Sequence, residues 1–390
     1  MGVAMIAKLL VVLIVLSWIY WLIACYCTWR FFREQARPAR EYLPPVSILK
    51  PVKGLDFSAR ENWASFMRQD CPTYEVLFGV ADPSDVAIAE IEGVRRAFPE
   101  VDVRLVMASA KGANPKVAIL QTLADASRYE VLVVSDSDVR VAPDYLRRVV
   151  APLADEGLGM VTCPYRGAAP LTLTARLEAL YIGVTFLPSV MVARQYLDMR
   201  FALGATMALR REDLTRAGGF AAVADCLADD YQLGAAIAAT GKRVALSDYM
   251  VSIHLGPTTF REQWDREVRW ARCASVSRPL EYPALWLTYS TALGVILVLV
   301  LGSGALAWAP LGVSLLLRWA VGWWVTGYTG EEDLRRWLIW LPLRDMLSAL
   351  VWFAGATGRR VVWRGERYIV RADGRMEPVP RRERVSLARR

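Results

Sequence analysis

The triplet Asp136-Ser137-Asp138 follows directly on an apolar run, Val131-Leu132-Val133-Val134-Ser135. Two carboxylates at i and i+2, at the C-terminal edge of a buried strand, can grip one hard divalent cation through oxygen. Such a cation could neutralise a diphosphate leaving group. An acidic pair by itself usually just solvates a loop. Here Asp229-Asp230 and Arg266-Glu267-Val268-Arg269-Trp270 lie downstream, and the ordered set is far stronger than the pair.

Short apolar runs alternate with helical patterns around the triplet, as in an α/β domain. Residues 46–49, 75–80, 103–106, 131–135 and 159–162 read as strands, and residues 58–69, 85–98, 114–126 and 143–154 as the helices between them. The expected product is a parallel-type sheet covered on both faces. Ligands in such folds bind beyond the carboxyl ends of the strands, where this reading places Asp82, Asp85 and Asp136 to Asp138. There is no Gly-Xaa-Gly-Xaa-Xaa-Gly after the first strand and no Walker-type Gly-Lys-Ser/Thr. A diphosphate would therefore be held by metal and cationic side chains.

The flanks are of another kind. Of the 390 residues 55% are hydrophobic and 15 are Trp, too many for an ordinary soluble protein. Residues 9–29 form an uncharged run of 21, enough at about 1.5 Å per residue to cross a hydrocarbon core of about 30 Å. Trp29-Arg30-Phe31-Phe32-Arg33 follows it in place of a small-residue cleavage site, so a retained anchor is expected rather than a signal peptide. Residues 283–317 are uncharged for 35 positions and interrupted by Gly302-Ser303-Gly304, which suits two helices joined by a turn. Residues 337–357 contain Pro342, Arg344 and Asp345, costly in lipid unless paired or facing water, and suggest a broken, re-entrant or interfacial helix. Arg30, Arg33, Arg37 and Arg40 after the first run, and Arg359, Arg360 and Arg364 after the last, place both regions on the cytoplasmic side. Three spans plus an incomplete fourth element fit that topology. The expected organisation is an anchor over residues 1–30, a cytoplasmic domain with interfacial helices over 31–282, transmembrane or re-entrant helices over 283–358 and a basic tail over 359–390.

The net charge of +8 comes largely from the Arg-rich flanks and the Arg381-Arg382-Glu383-Arg384 tail. Anionic lipid headgroups are the expected partner, and no nucleic-acid recognition motif accompanies the charge. The six cysteines have no Cys-Xaa-Xaa-Cys spacing, and His254 is the sole histidine, which leaves no basis for a zinc site. Residues 171–201 could be buried core or a surface lying against the membrane interface. Residues 258–275 read as an amphipathic interfacial helix, or as a solvated helix whose aromatics face the core.

Asp85, Asp136-Ser137-Asp138, Asp230 and Arg266/Arg269/Trp270 resemble the D, DxD, D, (Q/R)xxRW series of membrane glycosyltransferases with a GT-A fold. Pro45-Val46-Ser47-Ile48-Leu49-Lys50-Pro51-Val52-Lys53-Gly54, Gly112-Ala113-Asn114-Pro115-Lys116 and Val361-Val362-Trp363-Arg364 resemble the ceramide glucosyltransferase family more closely. The resemblance covers almost the whole chain. It implies a GT-A, Rossmann-like α/β domain with α-helical transmembrane segments, a UDP-sugar donor, a divalent cation (Mg²⁺ or Mn²⁺) and a membrane lipid acceptor such as ceramide. Lys50, Pro51, Asp82, Asp85 and Lys116 would lie on the nucleotide side. Asp136 would sit near ribose and metal, and Asp138 would be the main metal ligand. Eukaryotic members lack that second acid, so metal binding here is expected to be more direct. Asp230 would be the general base, with Asp229 in support. Arg266 and Arg269 could stabilise the leaving diphosphate, since Arg forms bidentate contacts with phosphate, and Trp270 would close the wall near sugar or acceptor.

The expected activity is inverting transfer of glucose to the primary hydroxyl of ceramide, at a membrane of bacterial inner-membrane type with the catalytic domain cytoplasmic. A hopanoid-associated transferase moving N-acetylglucosamine to a polyol hopanoid keeps the fold and changes both substrates. A non-catalytic nucleotide-sugar receptor is disfavoured by the intact acid set, and a transporter by the scarcity of spans.

Overall fold

The computed structural model describes residues 2–34, 42–109, 112–302, 304–363 and 366–379; Arg37, Arg40, Ser303, Arg364 and the 381–384 cluster lie outside them. By packing, the chain forms two compact units. A sheet unit comprises Arg37–Ala169, Met199–Gly256 and Arg360–Arg390, and a helical unit comprises Met1–Ala36, Pro170–Asp198 and Pro257–Arg359.

The strands of the sheet unit are β1 (Val46–Pro51), β2 (Tyr74–Val80), β3 (Asp102–Met107), β4 (Val131–Ser135), β5 (Val139–Arg140), β6 (Leu158–Thr162), β7 (Tyr165–Ala168), β8 (Thr206–Arg210), β9 (Arg243–Leu246), β10 (Val251–His254), β11 (Arg360–Trp363), β12 (Glu366–Val370) and β13 (Met376–Pro378). The main sheet has the order β3-β2-β1-β4-β8-β6-β9, and β5-β10-β7 and β11-β12-β13 form two small sheets. The five runs read as strands from sequence are strands, with ends shifted by two residues at most. The sheet is mixed, however, and not wholly of the parallel type expected. β8, which no periodicity singled out, pairs antiparallel with both β4 and β6.

Strand periodicity explains why the sheet is covered on both faces. Successive side chains of a strand point to opposite faces. Ile48, Val76, Phe78, Val131 and Val133 accordingly join one apolar core with Trp63, Phe66 and Tyr145. Leu49, Leu77, Leu132 and Val134 join the other with Ile119, Leu120 and Leu233. β1 is buried along its whole length, which suits a central strand between β2 and β4. The carboxyl ends of β1, β2 and β4 therefore open on one edge, and the residues after them must supply any site. The helix Pro115–Ala126 starts sharply because Asn114 caps it, its side chain accepting from Val117 N at 3.3 Å, with Pro115 in the first turn.

In the helical unit, Gly2–Glu34, Leu173–Tyr196 and Glu332–Thr357 are long and apolar enough to cross a membrane, and Tyr282–Thr288 with Ser290–Leu301, bent by 77°, would make a fourth if the pair is one span. Leu173–Tyr196 contains one π-helical turn, Ile182–Phe186. The expected pair of helices around residue 303 is present as Ser290–Leu301 and Ala305–Thr329. The stretch containing Pro342 is a 3-10 segment, Glu332–Trp340, followed by the helix Leu341–Thr357 with Pro342 in its first turn.

The two charges near Pro342 are paired, but not with each other. Arg344 binds Glu267 through both nitrogens at 2.7 Å, and Arg318 binds Asp345 at 2.8 and 2.9 Å. All four side chains are at most 3% exposed. Arg318 also donates to Thr185 Oγ1 and to the Val184 carbonyl within the π turn. Such a turn leaves backbone groups in need of partners, and this guanidinium supplies one.

Candidate active site

The loop that follows β4 is held from beneath. Lys50 lies on β1 with no exposure, its Nζ 2.9 Å from the Asp136 carbonyl, 3.4 Å from Ser135 Oγ and 3.6 Å from the Phe66 ring centre. Burial pushes its ammonium down to about 7, against the opposing pull of Asp136, Asp138 and Asp56. Its reach is therefore to the underside of the loop, and Pro51 beside it is buried as well. Trp63 Nε1 donates to the Ser137 carbonyl at 3.1 Å, Asn62 and the His254 amide donate to the Asp138 carbonyl, and Ser137 Oγ donates to Asp56. The loop is rigidly placed, while the Asp136 and Asp138 side chains keep partial exposure.

Above the sheet edge, Lys116 projects from the first turn of Pro115–Ala126. Its Nζ lies 2.7 Å from Asp136 Oδ1 and 3.8 Å from Asp229 Oδ2. Burial works against the Lys116 charge, but Asp136 and Asp229 outweigh it and hold its pKa above that of an ordinary lysine. Asp229 and Asp230 open the helix Asp229–Ala239, and Asp230 Oδ1 accepts from Tyr231 N at 2.8 Å. Desolvation, then the neighbouring Asp229 charge, push the Asp230 carboxyl up to about 6, with Lys116 opposing them. A carboxyl so placed is suited to proton transfer near neutral pH.

Asp136, Lys116, Asp229 and Asp230, which span more than a hundred residues of sequence, thus converge. Among the described residues no three His, Cys, Asp or Glu side chains converge on a metal-sized position. The donors would be the partly exposed carboxylates of Asp136, which is paired with Lys116, and of Asp138. That donor set fits Mg²⁺ or Mn²⁺, hard ions commonly bound by one or two carboxylates, with water and phosphate oxygens completing the shell.

Asp82 is exposed and accepts from Ser84 N and Oγ, and the Ser84 side chain first, then its amide, hold the Asp82 carboxyl below the usual range. Asp85 accepts from Gly54 N at 2.8 and 3.1 Å and from Ala87 N at 2.9 Å, so it ties the loop after β1 to that after β2. Gly54 has φ +69°, a conformation that favours glycine.

Arg266, Arg269 and Trp270 lie on the helix Phe260–Ser277 of the helical unit, which opens with a Thr259/Glu262 capping box. All three are partly buried, and Arg266 Nη2 donates to the buried Glu178 at 2.6 Å. Glu267, between them in sequence, is the partner of Arg344. Sequence reasoning missed Gly204, where an added Cβ would stand 2.8 Å from Asp230 Oδ2. It also missed Asn62 and Trp63 under the Asp136 loop. None of these carries a local signal, because each acts through a distant part of the chain.

The mixed sheet with an acidic cluster at its carboxyl edge is the architecture of GT-A glycosyltransferases. Mannosyltransferase PcManGT from Pyrobaculum calidifontis, solved in complex with GDP-Man and Mn²⁺, superposes with a TM-score of 0.53 at 19% identity, covering 89% of this chain and 99% of that one. The chain belongs to glycosyl transferase family 21, whose model matches residues 9–376. It is similar to ceramide glucosyltransferase 3 of Caenorhabditis elegans, 24% identical over 356 residues, covering 86% of this chain and 75% of that protein. Ceramide glucosyltransferase 1 of the same organism is 23% identical over 360 residues, covering 89% and 76%. The protein is a glycosyltransferase.

Proposed function

We propose that this glycosyltransferase moves glucose from UDP-glucose to the primary hydroxyl of ceramide with inversion at C1, on the cytoplasmic face of a bacterial inner membrane. The observation that carries the reading is the convergence of Asp136, Lys116, Asp229 and Asp230, which puts a carboxyl of raised pKa beside the end of the acidic loop. The names of the relatives and the apolar helices support a lipid acceptor, and the Arg-rich flanks support contact with anionic headgroups.

In this mechanism the acceptor oxygen bonds to the sugar C1, the C1–O bond to the diphosphate breaks, and the acceptor proton passes to the Asp230 carboxylate. A divalent cation at Asp136 and Asp138 would supply charge neutralisation of the diphosphate. Lys116 holds Asp136 in place and restrains the rise of the Asp230 pKa. For Arg266 and Arg269 we propose the diphosphate role implied by their motif. Asp85 fixes Gly54, and through it the nucleotide-side edge of β1.

The test is mass spectrometry of the lipid product from purified protein with a divalent cation, offering UDP-glucose and UDP-N-acetylglucosamine together with ceramide and a polyol hopanoid. Hexosylceramide is expected from the wild type and a loss of about 10²-fold or more from Asp230→Asn, with donor binding retained. Equal turnover by the mutant would remove Asp230 as the base. An N-acetylhexosaminyl hopanoid would replace both proposed substrates.

A further inference from the structure

The segment 224–228, immediately before Asp229 and Asp230, has no place in the main sheet and no helix of its own. On one side it is held by the turn that leads to Lys116. Asn114 N donates to the Ala224 carbonyl at 3.0 Å, Ala113 N to Asp225 Oδ1 at 3.0 Å, and Asn114 Nδ2 to the Cys226 carbonyl at 2.9 Å and to Asp229 Oδ1 at 3.4 Å. On its other side lie residues 374–376 at the start of β13. Met376 N donates to the Asp225 carbonyl at 2.7 Å, Leu227 N donates to the Gly374 carbonyl at 3.0 Å, and Cys226 and Arg375 form an antiparallel bridge.

The C-terminal strands are built to deliver this contact. β11, β12 and β13 pair antiparallel, with Val361, Tyr368, Val370 and Met376 buried. The turn before β13 closes through Gly374 N to the Arg371 carbonyl and Arg371 N to the Arg375 carbonyl, and Gly374 takes φ +84°. Leu227 is 4% exposed. Without the strap its amide and the Asp225 carbonyl would lose their partners just ahead of the helix that carries Asp230.

We infer that β11–β13 are a positioning element for the base: by adding a short strand to 225–227, the residues beyond the last apolar helix fix the start of Asp229–Ala239 and hence the Asp230 carboxyl. The inference rests on the assignment of Asp230 proposed above. It gives the small sheet that Val361-Val362-Trp363 open and the turn Gly112-Ala113-Asn114 a shared purpose, since residues 374–376 of the one and residues 113–114 of the other flank the same segment.

The strap can be locked with a thiol already present. Facing residues of an antiparallel bridge have Cα atoms about 4.5–5.5 Å apart, within the disulfide range, so Arg375→Cys in the full chain can cross-link to Cys226 on mild oxidation. The oxidised protein is expected to keep at least half the turnover of the reduced protein. Met376→Pro removes the amide bound to Asp225. It is expected to lower kcat at least tenfold with donor KM within twofold, together with a lower melting midpoint because a buried side chain and an amide bond are lost, and oxidation of Arg375→Cys/Met376→Pro should restore kcat. Hydrogen exchange of the 224–231 peptide should rise in Met376→Pro and fall on cross-linking, a readout that needs no substrate.

Loss of turnover on oxidising Arg375→Cys would overturn the inference, as would wild-type exchange and kcat in Met376→Pro. If the wild type makes no glycolipid from the substrates offered, the substrate assignment fails, and the exchange experiment still decides the strap.

Discussion

Glu267 and Arg344 make the most quantitative prediction. Their side chains are 2% and 0% exposed, they meet in two hydrogen bonds of 2.7 Å, and Gln263 donates to Glu267 while Ser348 accepts from Arg344. Breaking a buried pair from one side leaves an uncompensated charge and costs about 3–5 kcal/mol, whereas replacing both partners by apolar groups of similar volume is often neutral or stabilising. Glu267→Leu and Arg344→Met should each lower the melting midpoint in detergent by roughly 6–20 °C, at about 2–4 °C per kcal/mol for domains of 150–250 residues. The double variant should melt within a few degrees of the wild type, and a double-mutant cycle isolates the coupling. Single variants costing less than about 1 kcal/mol, as exposed pairs do, would refute the reasoning. So would a double variant as damaged as the sum of its parents.

Two further predictions concern Asp230 as the proposed base. Turnover should rise with pH through about 6 and level off above it, because protonated Asp230 cannot accept the acceptor proton. Lys116 opposes that raised pKa and Asp229 reinforces it, so Lys116→Met should move the acid limb to higher pH and Asp229→Asn to lower pH; pH–rate profiles of kcat check both signs. Gly204→Ala places a Cβ 2.8 Å from Asp230 Oδ2. It should cost about 1–3 kcal/mol in stability, as overpacking does, and lower kcat at least tenfold, which steady-state kinetics beside a melting curve would test.

Much of the sheet was legible because β1, β2, β4 and β6 are buried on both faces and read as short runs rich in apolar residues, and residues 114–126 read as a helix. β8 was not legible. Thr206-Met207-Ala208-Leu209-Arg210 is short, lacks clean alternation, and is recognisable only by pairing on both sides with strands distant in sequence. The acids were found as residue types next to strand ends. That Lys116 would join Asp136 to Asp229 could not be found so, since helix Pro115–Ala126 and helix Asp229–Ala239 meet only in the folded sheet unit. Lys50 shows the converse. Its motif marks it as nucleotide-side, while its strand places it within the core under the Asp136 loop. Residues 359–390 read as a basic tail, because the β11–β13 strands are short and carry charges on their exposed faces.

The position of those last strands also sets an order in time. About 120 residues separate Gly256 from Met376, and they include the whole stretch Pro257–Arg359 of the helical unit. At about 5–20 residues per second a ribosome needs roughly 6–24 s to make them. Throughout that interval the segment ahead of Asp230 has only one of its two backbone neighbours. If Asp230 is the base as proposed, a nascent chain completes its setting only after the apolar helices within Pro257–Arg359 have been synthesised.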